Sequence, residues 1–292
     1  MTRTSKQQRP APRHPRRAVL LAAAAVLAVA AALALYFLTR PAPLDLPYLT
    51  AGNIAVLDLN TGRFVYVKES DDPRSPASLT KLMTLLLVLD DVSDGALDWD
   101  TPYRVTTAEA NTPGSKYGIR AGETYTVREL VAGTVLCSGC DCVQCLVKLS
   151  AGDETTFVRR MNDKAAELGL TGTRFANATG IDASGHYMTA QNIATLASAL
   201  VTEHPEILEF TSQPTLELGE RVFRNMHRLV GRDPRVLGLK TGTTQVGGYN
   251  LVTYAQEGDG RYIIVLLDSN NDATRFSETE TVVDALFPED AA

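Results

Sequence analysis

Strand-like segments stand at both ends of the chain after residue 52, and helical segments fill the middle. NIAVLDL and RFVYVKE (Asn53 to Glu69) flank Asn60-Thr61-Gly62. Asn and Gly supply the positive φ angles that tight turns need, so this segment predicts a β-hairpin. Toward the other end, RVLGLKTGT, YNLVTYAQ and RYIIVLLDSN are separated by Gly247-Gly248 and by Gly258-Asp259-Gly260, and read as strands joined by turns. Between the two groups, VRELVAGTVL, ETTFVRRMNDKAAELGL and TAQNIATLASALVTEH have helical spacing, with loops at 111–123 and 171–190. LTKLMTLLLVLDDVSDG has almost no polar face from Leu82 to Leu89, as expected of a helix buried in the domain centre. SETETVVDALF reads as a closing helix. The order implies an α/β (α+β) fold: an antiparallel sheet built from both chain ends, flanking helices and an inserted helical region. A cleft between two such parts is a common binding site.

Ahead of this region, the 21 residues Ala18 to Leu38 carry no charge. A membrane-spanning helix needs about 20 apolar residues, whereas a cleaved signal peptide has an apolar core of roughly 7–15. The length favours an uncleaved single-pass anchor. Arg3, Lys6, Arg9, Arg13, Arg16 and Arg17 precede it and are expected to stay in the cytoplasm, which places everything after Arg40 outside. The expected organisation is therefore a basic tail (1–17), a transmembrane anchor (18–38), a proline-containing linker (39–52) and a catalytic domain (53–292).

Taking those six basic residues from the 28 in the chain leaves 22 against 34 acidic residues, a net of −12 for the remainder. So acidic a surface argues against a nucleic-acid partner, because phosphate binding needs a basic face.

Three short motifs follow in order: Ser78-Leu79-Thr80-Lys81, Ser138-Gly139-Cys140 and Lys240-Thr241-Gly242. Each alone is weak; together they are specific. A serine hydroxyl needs an adjacent base to become a nucleophile. Residues three apart on a helix share a face, so Lys81 is within reach of Ser78. Burial in an apolar helix lowers a lysine pKa and frees it to accept a proton. In VLGLKTGTT, Lys240 offers a cation and Thr241 and Thr243 offer hydroxyls. Gly242 leaves room for a substrate backbone. The pattern suits a peptide bound as an added strand, its terminal carboxylate facing a lysine.

S-x-x-K followed by K-T-G is a signature of β-lactamases and penicillin-binding proteins. ASLTKLMT (77–84), VLCSGCD (135–141), GIDASGHYMTA (180–190) and RVLGLKTGTTQVGGYNLV (235–252) resemble the D-alanyl-D-alanine carboxypeptidase family of low-molecular-mass penicillin-binding proteins, from about residue 50 to residue 287. The resemblance implies a serine-type carboxypeptidase acting on peptidoglycan stem peptides, inhibited by β-lactams and needing no cofactor. It implies Ser78 as the acylated nucleophile, Lys81 as general base and Ser138 as proton relay. Lys240 and Thr241 would hold the substrate carboxylate. The N–H groups of Ser78 and Thr243 would form the oxyanion hole.

The chain departs from the family at Cys140, where asparagine is usual; a thiol lacks the amide's two donors and its strong acceptor. A DD-transpeptidase using the same site, a β-lactamase, or a non-catalytic wall-binding module are the alternatives. The absence of an E-x-x-L-N segment between Ser138 and Lys240 counts against the β-lactamase. The family often carries a further C-terminal β-rich domain and anchor, neither of which is expected here.

Four cysteines fall in CSGCDCVQC: Cys137, Cys140, Cys142 and Cys145. Buried thiols, a disulfide and a metal site are all compatible with that spacing, the first being preferred and no metal expected. His186 and His227 lack the spacing of a metal pair and are expected to make structural hydrogen bonds.

Overall fold

A computed structural model of the chain describes residues 21–31, 44–218 and 221–288. The chain divides into two units, Met1–Ala42 and Pro43–Ala292. In the first, residues 21–31 are helical. The rest of the uncharged run, the basic tail and residues 39–43 lie outside the described residues. Among the described residues no helix is long and apolar enough to cross a membrane.

In the second unit the elements run β1 (Asn53–Asp58), β2 (Arg63–Lys68), α1 (Lys81–Ser93), β3 (Pro102–Arg104), α2 (Thr107–Ala110), β4 (Thr124–Thr126), α3 (Val127–Leu136), α4 (Cys140–Ala151), α5 (Glu154–Glu167), α6 (Ala190–Glu203), α7 (Leu208–Thr211), β5 (Thr215–Leu218), β6 (Arg221–Arg224), β7 (Val236–Thr244), β8 (Gly248–Glu257), β9 (Gly260–Ser269) and α8 (Asp272–Leu286). The main sheet has the order β2-β1-β9-β8-β7, every neighbouring pair antiparallel. Both chain ends supply it, as expected.

Strand periodicity explains how both faces of this sheet are filled. On β1, Ile54 and Val56 join a core with Phe276, Val282 and Val283 of α8. Ala55 and Leu57 face the larger core built on α1, α3, α4 and α6. β9 repeats the split, with Ile264 and Leu266 toward α8 and Ile263, Val265 and Leu267 toward the helical region. From Lys81 to Leu89 every residue of α1 is buried, so the helix with no polar face is the central one.

Several details differ from expectation. The closing helix begins at Asp272, because Asn271 caps it by accepting from Ala273 N (3.0 Å) and Thr274 N (2.9 Å). Two small two-stranded sheets, β3–β4 and β5–β6, interrupt the helical region; their strands are too short to carry a clear alternation. Residues 44–52, read as linker, are held on the sheet. Lys68 Nζ donates to Leu49 O (2.8 Å) and Ala51 O (2.7 Å), and Ala51 N donates to Glu278 Oε2 (3.0 Å).

Candidate active site

Ser78 sits in a single 3-10 turn, Ala77–Thr80, that runs into α1. The expected helix start is thus a tighter turn. Ala77, the first residue of that turn, has φ 50°, the left-handed region that side-chain-bearing residues rarely adopt. The three-residue spacing brings Lys81 Nζ to 3.0 Å from Ser78 Oγ. Lys81 is 0% exposed, and Nζ also lies 2.6 Å from Thr179 O and 3.5 Å from Cys140 Sγ. Burial pushes its pKa below the ordinary lysine value, against a smaller upward pull from Cys140 and Asp141. An unprotonated amine has two N–H bonds and one lone pair. Thr179 O can only accept and the Cys140 sulfur accepts weakly, so the lone pair is left facing the Ser78 hydroxyl.

Ser138 and Gly139 join α3 to α4. Ser138 has φ 55° and is 2% exposed. Its Oγ has no hydrogen-bond partner among the described residues. A strained backbone and a buried, unpartnered hydroxyl are features that cluster where ligands bind. Cys140 opens α4 and brings its thiol to Lys81.

The K-T-G segment lies on β7, an edge strand of the main sheet. Lys240 is 1% exposed and donates to Thr241 O (2.9 Å). Burial, and then the charge of Lys81, hold its pKa well below the usual value. An anionic ligand bound beside these two amines would favour their charged forms. Gly242 also stands against the Ser78 turn. A Cβ there would stand 3.0 Å from Pro76 O, 3.2 Å from Leu79 Cγ and 3.3 Å from Ala77 Cβ. The glycine lets β7 pack against the Ser78 turn. Behind it, Arg275 from α8 donates to Gly242 O (3.0 Å), Thr243 Oγ1 (2.9 Å) and Asn250 O (3.1 Å).

The 171–190 loop closes the site from a third side. Asn177 Oδ1 accepts from Thr179 N (3.1 Å) and Gly180 N (2.7 Å), presenting the Thr179 carbonyl to Lys81. Asp182 accepts from Ser75 Oγ (2.7 Å) and Thr244 Oγ1 (2.8 Å), tying the loop to both motif segments. His186 Nδ1 accepts from Ala176 N (3.0 Å), which leaves its proton on Nε2, 2.7 Å from Thr80 Oγ1. Burial holds its pKa down at about 4. This is the structural hydrogen bonding expected of it. His227 is buried beside Phe276 and pairs with Thr253 Oγ1 (2.8 Å).

The four cysteines are free thiols, Cys137 half-buried and the others buried. Asp90, Glu203 and His204 bring their ligand atoms within 4.8 Å of one another. Lys164 Nζ, 3.0 Å from Asp90 and 3.9 Å from Glu203, already supplies the positive charge there. Thr179 and Arg275 carry no sequence signal for this site, whereas Asp182 lies within the GIDASGHYMTA segment. Thr179 acts through a backbone carbonyl, and Arg275 comes from a helix whose pattern reads only as packing.

The sequence profile of the family described as D-alanyl-D-alanine carboxypeptidase (peptidase S11) matches residues 41–271. The chain is 32% identical over 242 residues to the D-alanyl-D-alanine carboxypeptidase DacF of Bacillus subtilis, covering 81% of this chain and 62% of DacF. It thus spans about three fifths of that curated relative's length. The fold is similar to that of the D-alanyl-D-alanine carboxypeptidase DacD from Francisella tularensis, with TM-score 0.79 and 28% identity over 84% of this chain and 71% of that one. It is also similar to penicillin-binding protein D2 from Listeria monocytogenes in its cefotaxime-bound form, with TM-score 0.77 and 32% identity over 83% of this chain and 99% of that one.

Proposed function

Because this chain belongs to the D-alanyl-D-alanine carboxypeptidase family, we propose that it is a serine-type D-Ala-D-Ala carboxypeptidase that removes the last D-alanine from peptidoglycan stem peptides. The observation that carries this reading is the placement of Lys81 Nζ 3.0 Å from Ser78 Oγ, with Thr179 O and Cys140 Sγ as its other polar neighbours.

In this reading Ser78 Oγ attacks the carbonyl between the two D-alanines while its proton passes to the Lys81 lone pair. The carbonyl oxygen becomes an oxyanion, received by the N–H groups of Ser78 and Thr243; losing one such donor slows reactions of this kind by about 100–1000-fold. The proton then travels by way of Ser138 to the leaving amine. The C–N bond breaks and D-alanine departs, leaving an ester on Ser78. Water attacks that ester, Lys81 takes the proton from the water, and Ser78 recovers its hydroxyl. Lys240 and Thr241 receive the substrate's terminal carboxylate, with the buried Arg275 guanidinium adding positive charge behind the strand. The same serine is the expected site of acylation by β-lactams, as inhibitors.

The uncharged run 18–38, preceded by six basic residues, supports anchoring by a single helix with residues 53–292 as an extracytoplasmic catalytic domain. The alternative of a non-catalytic wall-binding module rests on Cys140 alone, and that thiol lies within reach of Lys81.

Incubation of the protein with a pentapeptide ending in D-Ala-D-Ala tests the reading. Released D-alanine, absent with Ser78→Ala, is the expected result. D-alanine released only when an acceptor amine is supplied would mark a transpeptidase instead. Binding of the peptide without release would mark a wall-binding module.

A further inference from the structure

Asp141 follows the S-x-C motif and is 0% exposed. Its hydrogen-bond partners are backbone N–H groups. Oδ1 accepts from Tyr117 N (3.0 Å) and Cys142 N (3.0 Å), and Oδ2 from Gly118 N (2.8 Å) and Ile119 N (3.4 Å). Three consecutive amides of one loop thus converge on a single carboxylate in the first turn of α4.

That loop touches the site. Ser115 O accepts from Cys140 N (2.8 Å). Gly114, at φ +99°, lies over the thiol: a Cβ there would be 2.8 Å from Cys140 Sγ and 3.7 Å from Ile181 Cδ1. From the solvent side, Arg221 donates to Tyr117 O, and its guanidinium lies over the rings of Tyr117 (4.8 Å) and Phe223 (4.6 Å). The loop is held at both edges. On the buried edge the chain of contact runs from Asp141 to residues 117–119, on to residues 114 and 115, and from there to Cys140 and Lys81.

We propose that Asp141 is a positioning residue whose carboxylate fixes the 114–119 segment as the wall that keeps Cys140 against Lys81. The acceptor capacity of both oxygens matters as well as the shape of the side chain. Each oxygen accepts two N–H bonds, whereas an amide in its place would turn an NH2 group toward two of those donors. The proposal rests on the acyl-enzyme reading above, since it assigns Asp141 to the acylation step.

Two measurements test it. In the wild-type protein, hydrogen–deuterium exchange at Tyr117, Gly118 and Ile119 is expected to be as slow as in α4; exchange at the rate of an unstructured peptide would overturn the proposal. In Asp141→Asn, benzylpenicillin acylation is followed per folded molecule, well below the melting temperature. The acylation rate constant is expected to fall by roughly 3–10-fold, no more than loss of the Cys140 thiol itself would cost, while the pre-covalent dissociation constant changes less than about twofold. Exchange at 117–119 is expected to quicken while β8 and β9 stay protected. An unchanged acylation constant per folded molecule would overturn the proposal and reduce Asp141 to a stability element. Failure of the wild-type protein to take up penicillin would sink the carboxypeptidase reading, while the exchange measurement would still decide whether Asp141 holds the loop.

Discussion

The thiol of Cys140 lies 3.5 Å from the amine of Lys81, so the residue that departs from the family's usual asparagine keeps its contact with the buried lysine. A sulfur accepts a hydrogen bond weakly. It leaves the shorter bond to Thr179 O, at 2.6 Å, as the main restraint on the amine. Cys140→Ala is therefore expected to slow acylation by a fluorescent penicillin by roughly 3–10-fold, the equivalent of one modest hydrogen bond, with labelling still complete at long times. Loss of labelling altogether would show that the thiol has a larger role than its geometry suggests.

The lowered pKa of Lys81 has a signed consequence. The amine accepts a proton only when neutral, so the acylation rate should rise with pH through that lowered value and level off above it. Burial is the main cause; Cys140, Asp141 and Cys142 pull the other way. Stability follows the same direction. Lys81 and Lys240 both hold their protons less tightly when folded than when unfolded, so the unfolding free energy should climb with pH from their folded values toward 10.5. Acylation rates and denaturant midpoints measured across that range check both statements; a rate that falls as pH rises through neutrality would contradict the first.

Gly242 is closed in by its own chain. Gly242→Ala would set a methyl 3.0 Å from Pro76 O and 3.2 Å from Leu79 Cγ, pushing β7 away from the Ser78 turn. A destabilisation of about 1–3 kcal/mol is expected, together with an acylation rate at least tenfold lower by the order of magnitude typical of a misplaced site. Thermal melting and penicillin labelling measure the two effects; a variant as stable and active as wild type would mean that the strand and the turn are not in contact.

Burial and the Ala176 N–H hold His186 neutral, with its pKa at about 4 against an unfolded value of 6.5. The unfolded imidazole binds a proton that the folded one refuses between these two values. This contribution is therefore fully present above pH 6.5 and is lost as pH falls toward 4. The loss is roughly 3 kcal/mol, at 1.36 kcal/mol per pKa unit. Urea unfolding at pH 7 and pH 5 should show a smaller pH dependence in His186→Gln than in wild type. Equal slopes would mean that this histidine titrates normally.

What could be read from the sequence depended on whether the signal was local. Ser78 and Lys81 share one turn, and the apolar run behind them announced a buried helix, so their meeting was legible. The hairpins at either end were marked by Asn60-Gly62 and by the Gly-rich turns, which carried the antiparallel sheet. Gly242 was legible as a point of close approach, but a glycine does not say what approaches it. Thr179 serves through a carbonyl that every residue possesses. Arg275 reaches the K-T-G strand from across the sheet, a relationship that only the assembled fold creates. Strands as short as β5 and β6 offer too few alternations to separate from a loop.

Covalent capture of Ser78 is the central expectation for this site. The protein, incubated with benzylpenicillin and digested, should yield the peptide containing Ser78 heavier by the mass of the intact drug, and Ser78→Ala should take up none. An adduct on any other residue, or none on a folded wild-type protein, would contradict it.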